Sequence, residues 1–369
     1  MSPIGSFLEK KIKSRFGSLA SSWIKAGKAP PLDLNLGPSL LALRPDRLGD
    51  FILSVPALRK LEGALGPGGR LTLVAGERNA GLARYLFPKA RVLVFRKSFF
   101  SRLPLWVKLA FGRFDAVVDF HSFPFSTTSA LAALLSSRSR RIGFWDQGGS
   151  AELSREIFDW GMAAPDEALP EKEKSLLLAG RLVSRRGKAE PLIRLPDLPE
   201  ETKRKAGVFF GGMKLRPGDR VVGIHPTLLK KDNRWPPDRY VDLAWSLSKM
   251  APVKLAVVYG QGEEEELRMF LGKLGPSTPV FPLPGNELLF ILECLSRMDL
   301  FVGGDSGLTH LAALVTPVVA VFGPSDPRRW GPMVNGMGAP KILRGKDGSC
   351  DSVGASEVLR KVKKKLKIK

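Results

Sequence analysis

Short apolar runs alternate along most of this chain with longer stretches whose apolar positions recur every three or four residues. Runs at residues 39–43, 71–74, 91–95 and 115–119 read as buried strands, with helical spacing at 51–61, 80–86, 104–111 and 127–135. A second series has strands at 221–224 and 253–258 and helices at 238–247 and 286–295. Between them, residues 263–266 are all glutamate, the composition that a helix dipole favours in a first turn. Residues 301–327 complete the series as strand, polar turn, helix and strand. There an apolar strand runs into Gly303-Gly304, Asp305-Ser306 read as a helix cap, and a strand at 318–322 ends in Gly-Pro-Ser-Asp-Pro. The alternation predicts an α/β fold: parallel sheets with helices on both faces.

At 369 residues the chain exceeds one ordinary core and fits two domains. Residues 187–199, with Pro191, Pro196 and Pro199, read as a stiff linker. The expected division is a basic amphipathic segment (1–38), a first Rossmann-like domain (39–190), a linker (191–199), a second Rossmann-like domain (200–350) and a basic C-terminal helix (351–369). Two such doubly wound domains joined by a hinge are expected to face each other across a cleft, because open α/β sheets bind ligands beyond the carboxyl ends of their strands.

Charge narrows the partners. The net charge of +22 points to an anionic one, and part of it sits at the ends: Lys10, Lys11, Lys13, Arg15, Lys25 and Lys28, then the lysine-dense last ten residues. Ile4, Phe7, Leu8, Ile12, Phe16, Leu19, Trp23 and Ile24 recur at helical spacing among the first lysines. That pattern suits either an interfacial helix on an anionic membrane or a helix packed on the protein's own surface. The first residues lack the continuous apolar run of a signal peptide. The longest such run, residues 311–322, is broken by Pro317 and too short to span a bilayer. A cytoplasmic protein that does not cross a membrane is expected. Two cysteines make no disulfide framework, and three scattered histidines make a dedicated metal site unexpected. Nucleic acid is not an expected partner, since no basic face interleaved with aromatics and no recognised module is present.

Five polar segments carry candidate chemistry. The turn at residues 44–50 follows the first strand, where Gly49 permits a sharp turn or close approach of a ligand and Arg47 faces the same side. Asp50 serves there either as a general base toward a sugar hydroxyl or as the cap of the helix that follows. The dipole of that helix favours its anion, which makes it the weaker base. His121 follows the strand at 115–119, either beside an acceptor or as a satisfied loop histidine. After the strand at 221–224, Thr227 with Lys230, Lys231 or Arg234 suits a diphosphate leaving group; a solvated loop is the plainer alternative. Glu263, after Tyr259-Gly260-Gln261-Gly262, suits a ribose contact or a helix cap. At the last helix start, the N–H groups after Asp305 and Ser306, with Gly307 and with His310 one turn on, suit the diphosphate of a sugar nucleotide.

Taken together, these blocks resemble glycosyltransferase family nine, the heptosyltransferases of lipopolysaccharide core assembly. The matching pieces are Arg47-Leu48-Gly49-Asp50 with Pro56 and Leu61; Asp119 with Arg141-Ile142-Gly143-Phe144; His225-Pro226 with Trp235-Pro236; and Asp305-Ser306-Gly307-Leu308-Thr309-His310 with residues 322–327. The resemblance implies a GT-B fold and inverting transfer without a catalytic metal or other cofactor. It implies a nucleotide-sugar donor such as ADP-heptose, and an anionic glycolipid acceptor that suits membrane contact through residues 1–30. Asp50 matches the family's base, and Arg47, Gly49 and His121 lie on the acceptor side. Thr227, Asp305, Ser306, Gly307 and His310 match donor positions, with Glu263 nearest the acidic one. The family usually places a lysine two residues before the tryptophan; Asn233 stands there, leaving Lys230, Lys231 and Arg234 as the cations nearby. A non-catalytic sugar-nucleotide-binding protein of the same fold is the alternative.

Overall fold

The computed structural model describes residues 32–121, 126–136, 140–145, 151–163, 169–183, 193–228 and 233–368. The amphipathic stretch 1–30 and the candidates Lys230 and Lys231 lie outside them. The chain forms two compact units, Met1–Ala189 and Glu190–Lys369.

In the first unit the described elements are β1 (Ser39–Arg44), α1 (Leu48–Ala64), β2 (Arg70–Gly76), α2 (Ala80–Leu86), β3 (Arg91–Phe95), α3 (Phe99–Ala110), β4 (Ala116–Asp119), α4 (Thr127–Ser136), β5 (Arg141–Ile142), β6 (Phe144–Trp145), α5 (Ala151–Ile157), β7 (Met162–Ala163) and α6 (Glu171–Leu182). Five strands form a parallel sheet in the order β3-β2-β1-β4-β5. β1 is continuously buried after its first residue, as a central parallel strand covered on both faces must be. Leu41, Leu43, Val74, Val117, Leu105 and Leu109 share a core on one side of it.

The second unit contains α7 (Glu200–Gly212), β8 (Arg220–Ile224), α8 (Pro237–Ser248), β9 (Val253–Val257), α9 (Glu264–Leu274), β10 (Val280–Pro282), α10 (Leu288–Ser296), β11 (Leu300–Gly304), α11 (Gly307–Ala312), β12 (Val318–Phe322), α12 (Pro327–Trp330), β13 (Lys341–Arg344) and α13 (Ala355–Leu366). Its sheet is parallel throughout, in the order β10-β9-β8-β11-β12-β13. The basic C-terminal helix belongs to this unit's core: Val358, Val362 and Leu366 form its buried stripe. Cys294 and Cys350 are both buried free thiols.

Both sheets reverse their strand order once, between β1 and β4 in the first unit and between β8 and β11 in the second. At such a reversal the flanking connections leave in opposite directions and open a crevice at the carboxyl ends of the strands. The polar segments singled out in the sequence fall at these two places.

Candidate functional site

In the first unit the reversal brings together the ends of β1 and β4. Arg44 closes β1 and is buried to 4 % exposure, so every donor of its guanidinium needs a partner. Nη1 donates to the Phe120 carbonyl at 2.7 Å and to Asp46 at 3.1 Å. Nε donates to the Asp50 carbonyl at 3.2 Å, and Nη2 lies 3.9 Å from the Asp50 carboxylate. The other oxygen of Asp46 meets Nδ1 of His121 at 2.9 Å. Asp119, at the end of β4, accepts from Ser129 Oγ at 2.7 Å and from the His121 backbone N–H at 3.1 Å.

These contacts set the charges. Burial opposes ionisation of Asp46, but the bond to His121 and the charge of Arg44 outweigh it and hold the carboxyl below its usual range. Burial alone would lower His121; instead its bond to Asp46 and the nearby charges of Asp46 and Asp119 raise it to about 9, so it is an imidazolium at neutral pH. Burial pushes Asp119 up to about 6.

Asp50 departs from two sequence expectations. The helix begins at Leu48 with Arg47 as its N-cap residue, so Asp50 lies inside the first turn and does not cap it. Gly49 likewise sits in that turn as a buried helical residue, not in a sharp bend. The helix dipole does not keep Asp50 a weak base either. Burial raises its carboxyl above the ordinary range against the pull of Arg44, and Asp46 and Glu171 push in the same upward direction. Arg47 is exposed and makes no side-chain cap.

In the second unit the reversal gathers the ends of β8, β9 and β11 around Glu263. Its Oε2 lies 2.8 Å from His225 Nε2 and accepts from Thr227 Oγ1 and the Gly260 N–H, both at 2.7 Å. Together these bonds and the charge of His225 outweigh burial and hold the Glu263 carboxyl below its usual range. His225 Nδ1 continues the chain to Ser306 Oγ at 3.3 Å, Ser306 meets Thr309 Oγ1 at 3.1 Å, and Thr309 donates to the Gly304 carbonyl at 2.6 Å. Gly303 makes this approach possible, since a methyl group there would come within 2.6 Å of Thr309 Oγ1.

Two expectations change here. Glu263 precedes α9 but makes no side-chain cap; its carboxylate turns inward instead. Thr227 is fully buried, and its only hydroxyl proton goes to Glu263, so it has none to offer a phosphate.

Ser306 is the N-cap of α11, accepting from the Thr309 N–H, as the sequence suggests. Beside that helix start, Asn233 donates to Asp305 at 2.6 Å and to Ser325 Oγ at 3.0 Å. Arg344 pins the loop that carries Ser325, donating to the Gly323 and Pro324 carbonyls at 2.9 and 3.1 Å. Trp235, fully buried, anchors the entry to α8 by donating to the Val353 carbonyl at 2.8 Å and packing edge-on to Tyr240. Burial pushes His310 down to about 4 despite the charge of Asp305, so it is neutral at pH 7. Three buried polar atoms in this segment have no hydrogen-bond partner: Asn233 Oδ1, His310 Nδ1 and Nε of Arg234. A buried polar atom without a partner calls for one from water or a polar ligand.

Sequence reasoning gave no role to Arg44, Asp46 or Ser325, named Asp119 only as part of a matching block, and did not foresee the Glu263–His225–Ser306 chain. The contacts that join Asp46 to His121, Arg44 to Phe120, Glu263 to His225 and Asn233 to Ser325 span 75, 76, 38 and 92 residues, so spacing carried no signal for them. His225 sat inside a quoted motif without a role.

Among the described residues no group of three or more His, Cys, Asp and Glu side chains is placed to hold a metal ion. Two Rossmann-like units, each with a polar cluster at its strand-order reversal, are the architecture of the GT-B class. The chain belongs to glycosyltransferase family 9 (heptosyltransferase), whose model matches residues 103–341. The family 9 glycosyl transferase of Veillonella parvula DSM 2008 is similar at TM-score 0.75 and 18% identity, over 92% of this chain and 99% of that one. E. coli heptosyltransferase WaaC, solved with ADP, is similar at TM-score 0.68 and 19% identity, over 89% of this chain and 99% of that one. E. coli ADP-heptose lps heptosyltransferase II is similar at TM-score 0.67 and 20% identity, over 89% and 98% respectively. No curated protein matches the sequence.

Proposed function

We propose that this family 9 glycosyltransferase moves a heptose from ADP-heptose onto a glycolipid acceptor of the lipopolysaccharide-core kind, inverting the sugar carbon. Asp50 takes the proton from the acceptor hydroxyl as its oxygen bonds to the anomeric carbon and the bond to the nucleotide diphosphate breaks. The observation that carries this reading is the placement of Asp50: a carboxylate in the first turn of α1, just beyond β1, with Arg44 Nη2 3.9 Å away and burial raising its basicity. His121 and Arg47 supply positive charge on the same side, suited to an anionic acceptor.

On the donor side, the N–H groups at Gly307 and the start of α11, with Arg234, suit the diphosphate. Lys230 and Lys231 neighbour them in sequence. Asp305 is an acceptor only and suits a sugar hydroxyl more than a phosphate oxygen. His310, being neutral, contributes hydrogen bonding and no charge. Glu263 places all three of its bonds on Oε2, which leaves Oε1 for a ribose hydroxyl. A lipid-linked acceptor puts the reaction at the cytoplasmic face of a membrane, where the basic residues 1–30 suit contact.

One observation favours a second reading, a sugar-nucleotide binder without turnover: a neutral Asn233 stands where the family usually has lysine. Incubating the protein with ADP-heptose and a core glycolipid decides between them. Release of ADP together with an extended glycolipid supports transfer; saturable donor binding with no ADP released under any acceptor supports the binder.

A further inference from the structure

Helix α3 is apolar on both sides. Leu105 and Leu109 face inward and join the core of the first unit. On the opposite side, Phe100, Leu103, Val107 and Phe111 follow one another at helical spacing and are 80 %, 56 %, 51 % and 83 % exposed. A surface helix normally turns a polar face outward, and scattered single apolar residues need no explanation, but a contiguous stripe of this kind marks an interaction surface.

The charges around the stripe narrow the occupant. From Lys89 to Phe114 the chain carries Lys89, Arg91, Arg96, Lys97, Arg102, Lys108 and Arg113 and not one Asp or Glu. All of these except Arg102 are exposed. An apolar stripe whose flanking sequence is basic up to the exposed Asp115 suits a partner with apolar depth beneath an anionic surface. Two copies of this chain would bring like charges face to face, and the lysine-rich residues 1–31 would do the same. A nucleic acid would answer the charge but leave the phenylalanines in water.

We propose that the outer face of α3 docks on an anionic phospholipid bilayer, Phe100, Leu103, Val107 and Phe111 entering the acyl boundary and the flanking lysines and arginines meeting headgroup phosphates. The inference rests on this surface alone and is independent of the sugar transferred.

Flotation of the full chain with vesicles tests it, using phosphatidylcholine alone and phosphatidylcholine mixed with phosphatidylglycerol. The wild type is expected to float with the anionic vesicles and to release as salt rises. Phe100→Ser with Phe111→Ser should weaken vesicle affinity by at least about tenfold, and Lys97→Gln with Lys108→Gln by roughly tenfold at low salt. All four positions are exposed, so melting temperatures should stay within a few degrees of the wild type. Phe7→Ser with Phe16→Ser, in the full chain, should leave most of the effect in place. The proposal is overturned if the α3 variants float as the wild type does, or if only the Phe7/Phe16 variant loses binding. It is equally overturned if the wild type ignores anionic vesicles while the α3 variants convert a dimer to a monomer, which would make the stripe a self-association face.

Discussion

The amide of Asn233 donates to the carboxylate of Asp305 at 2.6 Å, joining the loop before α8 to the tip of α11. A family lysine at this position would put an ammonium beside Asp305. Here the carboxylate is met by a neutral dipole, so position 233 brings no positive charge to Asp305.

Removing the amide should loosen that junction. Asn233→Ala is expected to lower stability by about 1–2 kcal/mol and weaken ADP-heptose binding, because it takes a hydrogen bond from a carboxylate. Asn233→Lys should tighten donor binding by roughly fivefold to tenfold, as an ammonium adds positive charge for the diphosphate. Urea titration and calorimetry measure the two effects. Unchanged donor affinity in both variants would place Asn233 outside the donor site.

Glu263 collects three donors on one oxygen, from β8, the loop after β9 and Thr227. Glu263→Gln keeps the shape and leaves one amide oxygen to accept all three bonds, but removes the charge that strengthens them. A loss of about 2–3 kcal/mol is expected in urea unfolding, along with a higher KM for the donor. A variant as stable as the wild type would show that this network adds nothing.

How much of this was legible in the sequence depends on how local each signal was. β3 and α2 match their sequence-read bounds, since apolar runs flanked by breakers define them without help from distant residues. α1 starts three residues before the sequence expectation because Arg47-Leu48-Gly49 offers no usual cap. The sequence analysis did not identify α7: only Ala206 on it is buried, so its pattern has no apolar stripe to detect. The short β13, Lys-Ile-Leu-Arg, escaped for a similar reason. The site divides the same way. Ser306 as a cap depends on a neighbour three residues on, whereas the inward turn of Glu263 depends on His225, 38 residues away. Asp50 was read in the turn after β1 and lies in the first turn of α1, and its electrostatics were misread because the helix dipole is visible in sequence and burial is not.

Stability should fall on both sides of neutral pH for separate reasons. His121 is raised from an ordinary 6.5 to about 9, so its contribution is fully present below 6.5 and lost as pH rises through 9. His310 is lowered to about 4, so its contribution is present above 6.5 and lost as pH falls through 4. Melting curves across pH should show His121→Gln removing the alkaline loss and leaving the acid one. If His121→Gln changes neither limb, the Asp46–His121 pair carries no such linkage.

The acid limb of the transfer rate should report Asp50 and lie above the ordinary carboxylate value of 3.8. Asp46→Asn removes a neighbouring negative charge and frees Arg44 to act on Asp50. Both changes favour the Asp50 anion, so the limb should move to lower pH. A limb that stays in place would assign the titration to another group.

The most direct measurement compares Asp50→Asn with the wild type in two assays on the same preparation: ADP-heptose affinity, and turnover with a core glycolipid acceptor. The proposed role predicts donor affinity within a few-fold of the wild type and turnover reduced by about a hundredfold or more, as loss of a general base does. Turnover within a few-fold of the wild type, at equal donor affinity, would contradict it.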